Sequence, residues 1–169
     1  GAELTSATTP ADLFRELKVI GGELTSTHPN MAPLTTLVGR LLYLVAEKAR
    51  KESDVDEFKL TVKKICDQLI QESVRASHEV ALHGSELMQD QMTIFTHSRS
   101  ATVLETFRMA ASMGRRIRVL VTESRPLFEG RAAAQELSGL GIPVNLAVDA
   151  AMGYMMDTAD ICVVGADSV

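Results

Sequence analysis

Residues 91–130, QMTIFTHSRSATVLETFRMAASMGRRIRVLVTESRPLFEG, decide the fold. Two short apolar runs, 92–96 and 117–121, flank a stretch of helical spacing at 100–113. Neither run alternates with polar residues, so each reads as a strand buried on both faces, and the unit reads strand–helix–strand. The pattern continues downstream. A helix is expected over 131–140, stopped by Gly141, then a strand over 143–148, a short helix over 150–156 and a strand over 161–164. Short strands alternating with helices predict a parallel sheet covered on both sides.

Upstream of Asp90 the texture is different. Thr9-Pro10 is a cap followed by proline at the first helical position. Leu13, Phe14, Leu17 and Ile20 mark one apolar face, Gly21-Gly22 weakens the helix end, and His28-Pro29-Asn30 breaks it. A second helix is expected over 31–51, where Leu34, Leu37, Val38, Leu41, Leu42 and Val45 step by three and four. Ser53 or Asp54 caps a third, long helix whose stripe is Phe58, Val62, Ile65, Leu69 and Val74, and Gly84 is a candidate break in it. The chain is therefore read as an all-helical domain, 1–90, followed by a Rossmann-like α/β domain, 91–169.

Bulk properties narrow the class. The 169 residues carry a net charge of -5, with 46% hydrophobic and 23% charged residues, which fits a globular protein and argues against a surface that coats nucleic acid. Cys66 and Cys162 lie far apart without metal-ligand spacing and read as buried, reduced thiols. No apolar run approaches the roughly 20 residues of a membrane span, and residues 1–8 have neither the basic nor the apolar segment of a signal peptide. A cytoplasmic protein without metal or cofactor is expected.

In an open parallel sheet, ligands bind beyond the carboxyl ends of the strands. Those ends are Thr96-His97-Ser98-Arg99-Ser100, Thr122-Glu123-Ser124-Arg125-Pro126, Asp149-Ala150-Ala151 and Gly165-Ala166-Asp167-Ser168. Hydroxyls, arginines and carboxylates converge there, the composition of a site for a phosphorylated, hydroxyl-rich small molecule. The candidate ligand-binding residues are Thr96, Ser98, Arg99, Ser100, Glu123, Arg125, Arg131, Asp149 and Asp167. Arginine grips phosphate oxygens in a two-pronged geometry that lysine cannot reproduce. Helix N-termini after the first and third strands could add backbone donors. The competing reading is that Ser, Thr and Asp simply cap the helices that follow. Arg115, Arg116 and Arg118 precede a strand and read as a solvated turn at the opposite edge. His97 beside Ser98 invites a hydrolase reading, but strand-end neighbours point to opposite faces, and no Gly-x-Ser-x-Gly elbow is present. His28, His78 and His83 lack metal spacing, Met152, Met155 and Met156 read as core filler, and no Gly-x-Gly-x-x-Gly or phosphate-loop motif is present.

These strand ends carry a resemblance. The segment 94–100, IFTHSRS, resembles a "THxxS" motif, and 121–131, VTESRPLFEGR, is similar to "VTESRPxxEGR". Gly141-Ile142-Pro143-Val144 with 148–154, VDAAMGY, resembles "GIPV…VDSAxGY", and 164–169, VGADSV, resembles "VGADxI". Together these identify a likeness to the family of initiation factor 2B alpha, beta and delta subunits, which includes ribose-1,5-bisphosphate isomerase and methylthioribose-1-phosphate isomerase. The resemblance implies a subunit with an inherited sugar-phosphate or nucleotide-phosphate pocket, forming homo-oligomers or assemblies of related subunits and engaging initiation factor 2, with no direct contact to nucleic acid or membrane. The alternative it implies is an aldose–ketose isomerase acting on a phosphorylated ribose. In the isomerases a cysteine of the first motif and the aspartate of "GAD" carry the proton transfers. Here those positions hold Ser98 and Asp167. A serine hydroxyl is a far weaker acid than a thiol, whose free pKa is about 8.5, so the substitution favours the regulatory branch. Family members continue beyond "GADxI", so the sheet is expected to be incomplete at its C-terminus.

Overall fold

The computed structural model describes residues 5–27, 29 and 31–166. Residues up to Val74 form one compact unit and Arg75–Gly165 another, the division falling inside a single helix.

The first unit is helical. Helix α1 spans Pro10–Thr27, α2 Ala32–Lys51 and α3 Val55–Glu86. The Thr9 hydroxyl accepts from the Asp12 amide (3.2 Å), and Asp54 Oδ1 accepts from the amides of Asp56 and Glu57, so both expected caps form. Leu13, Val45, Phe58 and Val62 make the buried centre, with Phe14, Leu17, Leu41, Ile65 and half-buried Cys66 around it. Burial pushes the Cys66 thiol up.

Three local expectations are corrected. Gly21 is buried inside α1, where an added Cβ would lie 2.8 Å from Val38 Cγ1, so it permits close approach of α2 rather than ending the helix. Ile20 is exposed. So is Val74, because residues 71–80 of α3 are exposed on every face.

The second unit contains strands β1 (Thr93–Thr96), β2 (Arg118–Thr122), β3 (Val144–Ala147) and β4 (Ile161–Cys162). All pair in parallel, in the order β3-β2-β1-β4. Helix α4 (Ala101–Ser112) connects β1 to β2, and α5 (Glu129–Gly139) connects β2 to β3. A short 3-10 turn (Asp149–Ala151) and α6 (Met152–Met156) lead to β4. Strand alternation sends Ile94 and Val119 into a core with Leu104, Phe107, Ala133 and Leu137, whereas Phe95 and Leu120 face Met155 on the other side. The two central strands are thus covered on both faces, whereas the expected two-sided cover does not extend to outer strand β3, where Asn145 and Leu146 are exposed. Met155 fills core as expected, but Met156 is exposed. Cys162 is also exposed, because β4 is a two-residue edge strand.

Gly84 does not break α3. A Cβ there would come within 2.8 Å of Thr106 Cγ2, so the glycine lets α3 close on α4. Arg115 donates to the carbonyls of Ser85 and Met88 at the end of α3. Arg116 donates to Asp90 through Nη2 (2.5 Å) and Nε (3.2 Å), which holds the Asp90 carboxyl down at about 2. Arg115 and Arg116 are thus ties at the amino-terminal edge of the sheet, while Arg116 and Arg118 stay exposed, as a solvated turn requires. All three line an open groove of about 720 Å³ there with Gly114 and Gly141.

Candidate functional site

After β1 and β2 the chain runs one way across the sheet, then returns past β1 to lay down β4. The reversal between β1 and β4 is a topological switch point, the place where open parallel sheets bind ligands beyond their strand ends. Ser100 caps α4 there by accepting from the Val103 amide. Gly165, just after β4, presses against it: a Cβ would sit 2.6 Å from both Cβ and Oγ of Ser100.

Beside the switch point, the ends of β1 and β2 are locked together. Ser98 and Ser124 both adopt left-handed backbone, at φ 64° and 61°. The Ser98 amide donates to Ser124 Oγ at 2.8 Å. Non-glycine residues held this way cost about 1–3 kcal/mol each and persist where the surroundings over-determine them. Asp149, from the end of β3, is one such constraint. Its two oxygens accept from the amides of Ser124 and Arg125, both at 2.8 Å, and these bonds hold its carboxyl below the usual range.

Two guanidinium groups share one carboxylate. Glu123 is nearly fully buried, with Oε1 2.5 Å from Arg125 Nε and Oε2 2.6 Å from Arg131 Nη2. Its pKa is lowered by Arg125 first and Arg131 second. Phe128 lies beneath both arginines, its ring centroid 5.3 Å from the Arg125 Cζ and 4.1 Å from that of Arg131. The arginine side chains remain more than half exposed, so most of their N–H donors face outward. Gly130 makes the arrangement possible, because a Cβ there would lie 1.8 Å from the Thr122 carbonyl oxygen.

The other candidates are placed differently. Thr96 is buried at the end of β1. Arg99 pairs with Glu136 of α5 at 3.1 Å, which Arg108 also engages. Asp167 lies outside the described residues. Sequence reasoning missed Glu129, whose Oε2 accepts from Ser98 Oγ at 2.6 Å. The charged pair around Gly130 in Glu129-Gly130-Arg131 was the available signal. It also set His97 aside. The ring makes no hydrogen bond to Ser98; Nδ1 lies 2.6 Å from Thr122 Oγ1 and 3.4 Å from Ser124 Oγ. Among the described residues no group of three His, Cys, Asp or Glu side chains could hold a metal, and no helix is long and apolar enough to cross a membrane.

Known proteins share this arrangement of chain. Ribose 1,5-bisphosphate isomerase of Pyrococcus furiosus is 30% identical over 168 residues, covering 99% of this chain and 52% of that protein. Methylthioribose-1-phosphate isomerase of Desulforamulus reducens is 28% identical, covering 100% of this chain and 51% of the relative. The crystal structure of translation initiation factor eIF-2B from Pyrococcus horikoshii OT3 superposes with a TM-score of 0.85 at 30% identity, over 99% of this chain and 56% of that one. The chain spans about half the length of the curated relatives it matches. Residues 2–169 match the profile of the Initiation factor 2 subunit family, and the chain belongs to that family.

Proposed function

We propose that this chain is part of an initiation-factor-2B-like subunit that binds a phosphorylated small molecule at the carboxyl ends of its strands. The Glu123-bridged arginine pair is the observation that carries this reading. One buried carboxylate offsets one of two guanidinium charges and leaves a cationic, multi-donor face toward solvent. The N-terminus of α4 at the switch point offers further donors. Arg99, Ser98 and Ser100 stand beside it, and Asp149 holds the loop that presents Arg125. The family match supports assembly with related subunits, with initiation factor 2 as the further partner.

A second reading, turnover of a phosphorylated aldose, has one observation in its favour. Glu129 supplies a carboxylate beside Ser98, a base where the thiol of the isomerases is missing. Ser98 still holds its proton too tightly to act as the acid, so slow conversion at most is expected. Calorimetry with ribose 5-phosphate and adenosine monophosphate tests the pocket. Binding is expected to weaken at least tenfold in Arg125→Ala, corresponding to loss of a charge-assisted hydrogen bond worth about 1.5–3 kcal/mol. Affinity unchanged in that variant would refute the placement, and rapid ketose formation from ribose 1,5-bisphosphate would promote the isomerase reading.

A further inference from the structure

We infer that His97 is a ligand-contacting side chain of this edge, reading a hydroxyl group of the ligand through Nε2, with Thr122 and Ser124 as the residues that fix its tautomer. This rests on the pocket reading above. It adds a second recognition element, separate from the arginines.

Nδ1 faces two hydroxyl oxygens, Thr122 Oγ1 at 2.6 Å and Ser124 Oγ at 3.4 Å. The Ser124 hydroxyl donates its only proton to the Thr122 carbonyl at 3.2 Å and accepts from the Ser98 amide. Toward His97 it can therefore only accept. The Thr122 hydroxyl is fully buried and lies beside Asp149, whose carboxyl the Arg125 and Ser124 amides, at 2.8 Å each, hold below the usual range with a smaller contribution from Thr122. A carboxylate only accepts, so the Thr122 proton points to Asp149 and its oxygen is an acceptor toward His97. With two acceptors in front of it, Nδ1 carries the proton. In neutral imidazole the other nitrogen, Nε2, is then an acceptor.

Nε2 has no hydrogen-bond partner among the described residues. The His97 side chain is half-buried, and the described side-chain polar atom that is both sealed from solvent and unpartnered is Glu52 Oε2, in the other unit. An oriented, reachable acceptor next to Ser98, on the strand neighbouring the Arg125 loop, suits a ligand that carries a hydroxyl as well as an oxyanion. The class is a phosphorylated polyol or nucleotide ribose. Inorganic phosphate has the oxyanion alone and has no use for Nε2.

The two chemistries separate in one experiment. Wild type, His97→Phe and His97→Gln are titrated with ribose 5-phosphate and with inorganic phosphate. In His97→Phe, ribose 5-phosphate affinity is expected to fall about tenfold while inorganic phosphate affinity stays level. His97→Gln, which keeps an acceptor, should recover part of the loss. Equal loss for both ligands, or no loss for either, overturns the inference and leaves the arginine pocket standing. Failure of wild type to bind either ligand overturns the pocket and this inference with it. Nitrogen NMR of the histidine ring in unmodified protein needs no variant to fold. It should show the neutral ring protonated at Nδ1, with the Nε2 signal shifting on addition of ribose 5-phosphate. Protonation at Nε2 instead, or an Nε2 signal unmoved at saturation, overturns the inference.

Discussion

Replacing Gly130 by alanine should unfasten the start of α5 from the end of β2. The new Cβ would stand 1.8 Å from the Thr122 carbonyl oxygen, 2.9 Å from its carbon and 3.0 Å from Ser124 Oγ. Real Cβ contacts are not found inside 3.0 Å, so the helix and the strand end must separate by at least 1.2 Å. The obstructing atoms are mainly backbone and cannot rotate away. Overpacking of this kind costs about 1–3 kcal/mol, and the gain in helix propensity from alanine is at most about 1 kcal/mol. A net loss of roughly 2 kcal/mol follows. With a urea slope of about 1–3 kcal/mol/M, the midpoint should fall by about 1 M. Gly139→Ala, at the other end of the same helix, meets nothing within 4 Å and should be neutral or stabilising by a few tenths of a kcal/mol up to about 1 kcal/mol. The same separation would draw Arg131 from Glu123 and Glu129 from Ser98, so ligand affinity should drop with stability. An unchanged midpoint for Gly130→Ala, or equal effects at the two glycines, would refute the reasoning.

Other perturbations test other ties. Asp149→Asn leaves one carbonyl oxygen to serve the two amides of Ser124 and Arg125, so amide exchange at those residues should quicken, with ligand affinity reduced. Arg115→Met takes the guanidinium donor from the Met88 carbonyl, while the Ser85 carbonyl keeps the Met88 amide at 3.1 Å, and should cost about 1–3 kcal/mol in denaturant titrations. Asp90 should titrate by NMR at about 2 and return toward 3.8 in Arg116→Ala. Because its folded pKa is depressed, the stabilisation from this pair is present above about pH 4 and is lost as pH falls toward 2.

The alternation of elements was legible because each has its own period. Apolar runs such as 117–121 are too short for a helix, and the steps in α2 are too regular for a strand. The polar strand ends were legible because topology alone brings them to one edge. What the linear sequence concealed were contacts between distant positions. Ser98 and Glu129 are 31 residues apart, and nothing local announces that they meet. Equally, nothing local announces that the two oxygens of Asp149 accept from the amides of Ser124 and Arg125. Glycines misled for the same reason: Gly21 and Gly84 look like helix breaks but are close approaches whose partners, Val38 and Thr106, lie on other helices. Val74 has the right spacing for the buried stripe, yet falls where α3 is bare on all sides.

The two edges of the sheet offer arginines to a phosphate in two different places. Arg115, Arg116 and Arg118 line the groove at the amino-terminal edge, whereas Arg125 and Arg131 stand beyond the carboxyl ends. A crystal structure of the protein with ribose 5-phosphate decides between them. The phosphate oxygens are expected within about 3 Å of the Arg125 and Arg131 guanidinium nitrogens, with a ribose hydroxyl on His97 Nε2. Phosphate seated instead in the groove among Arg115, Arg116 and Arg118 would contradict this placement.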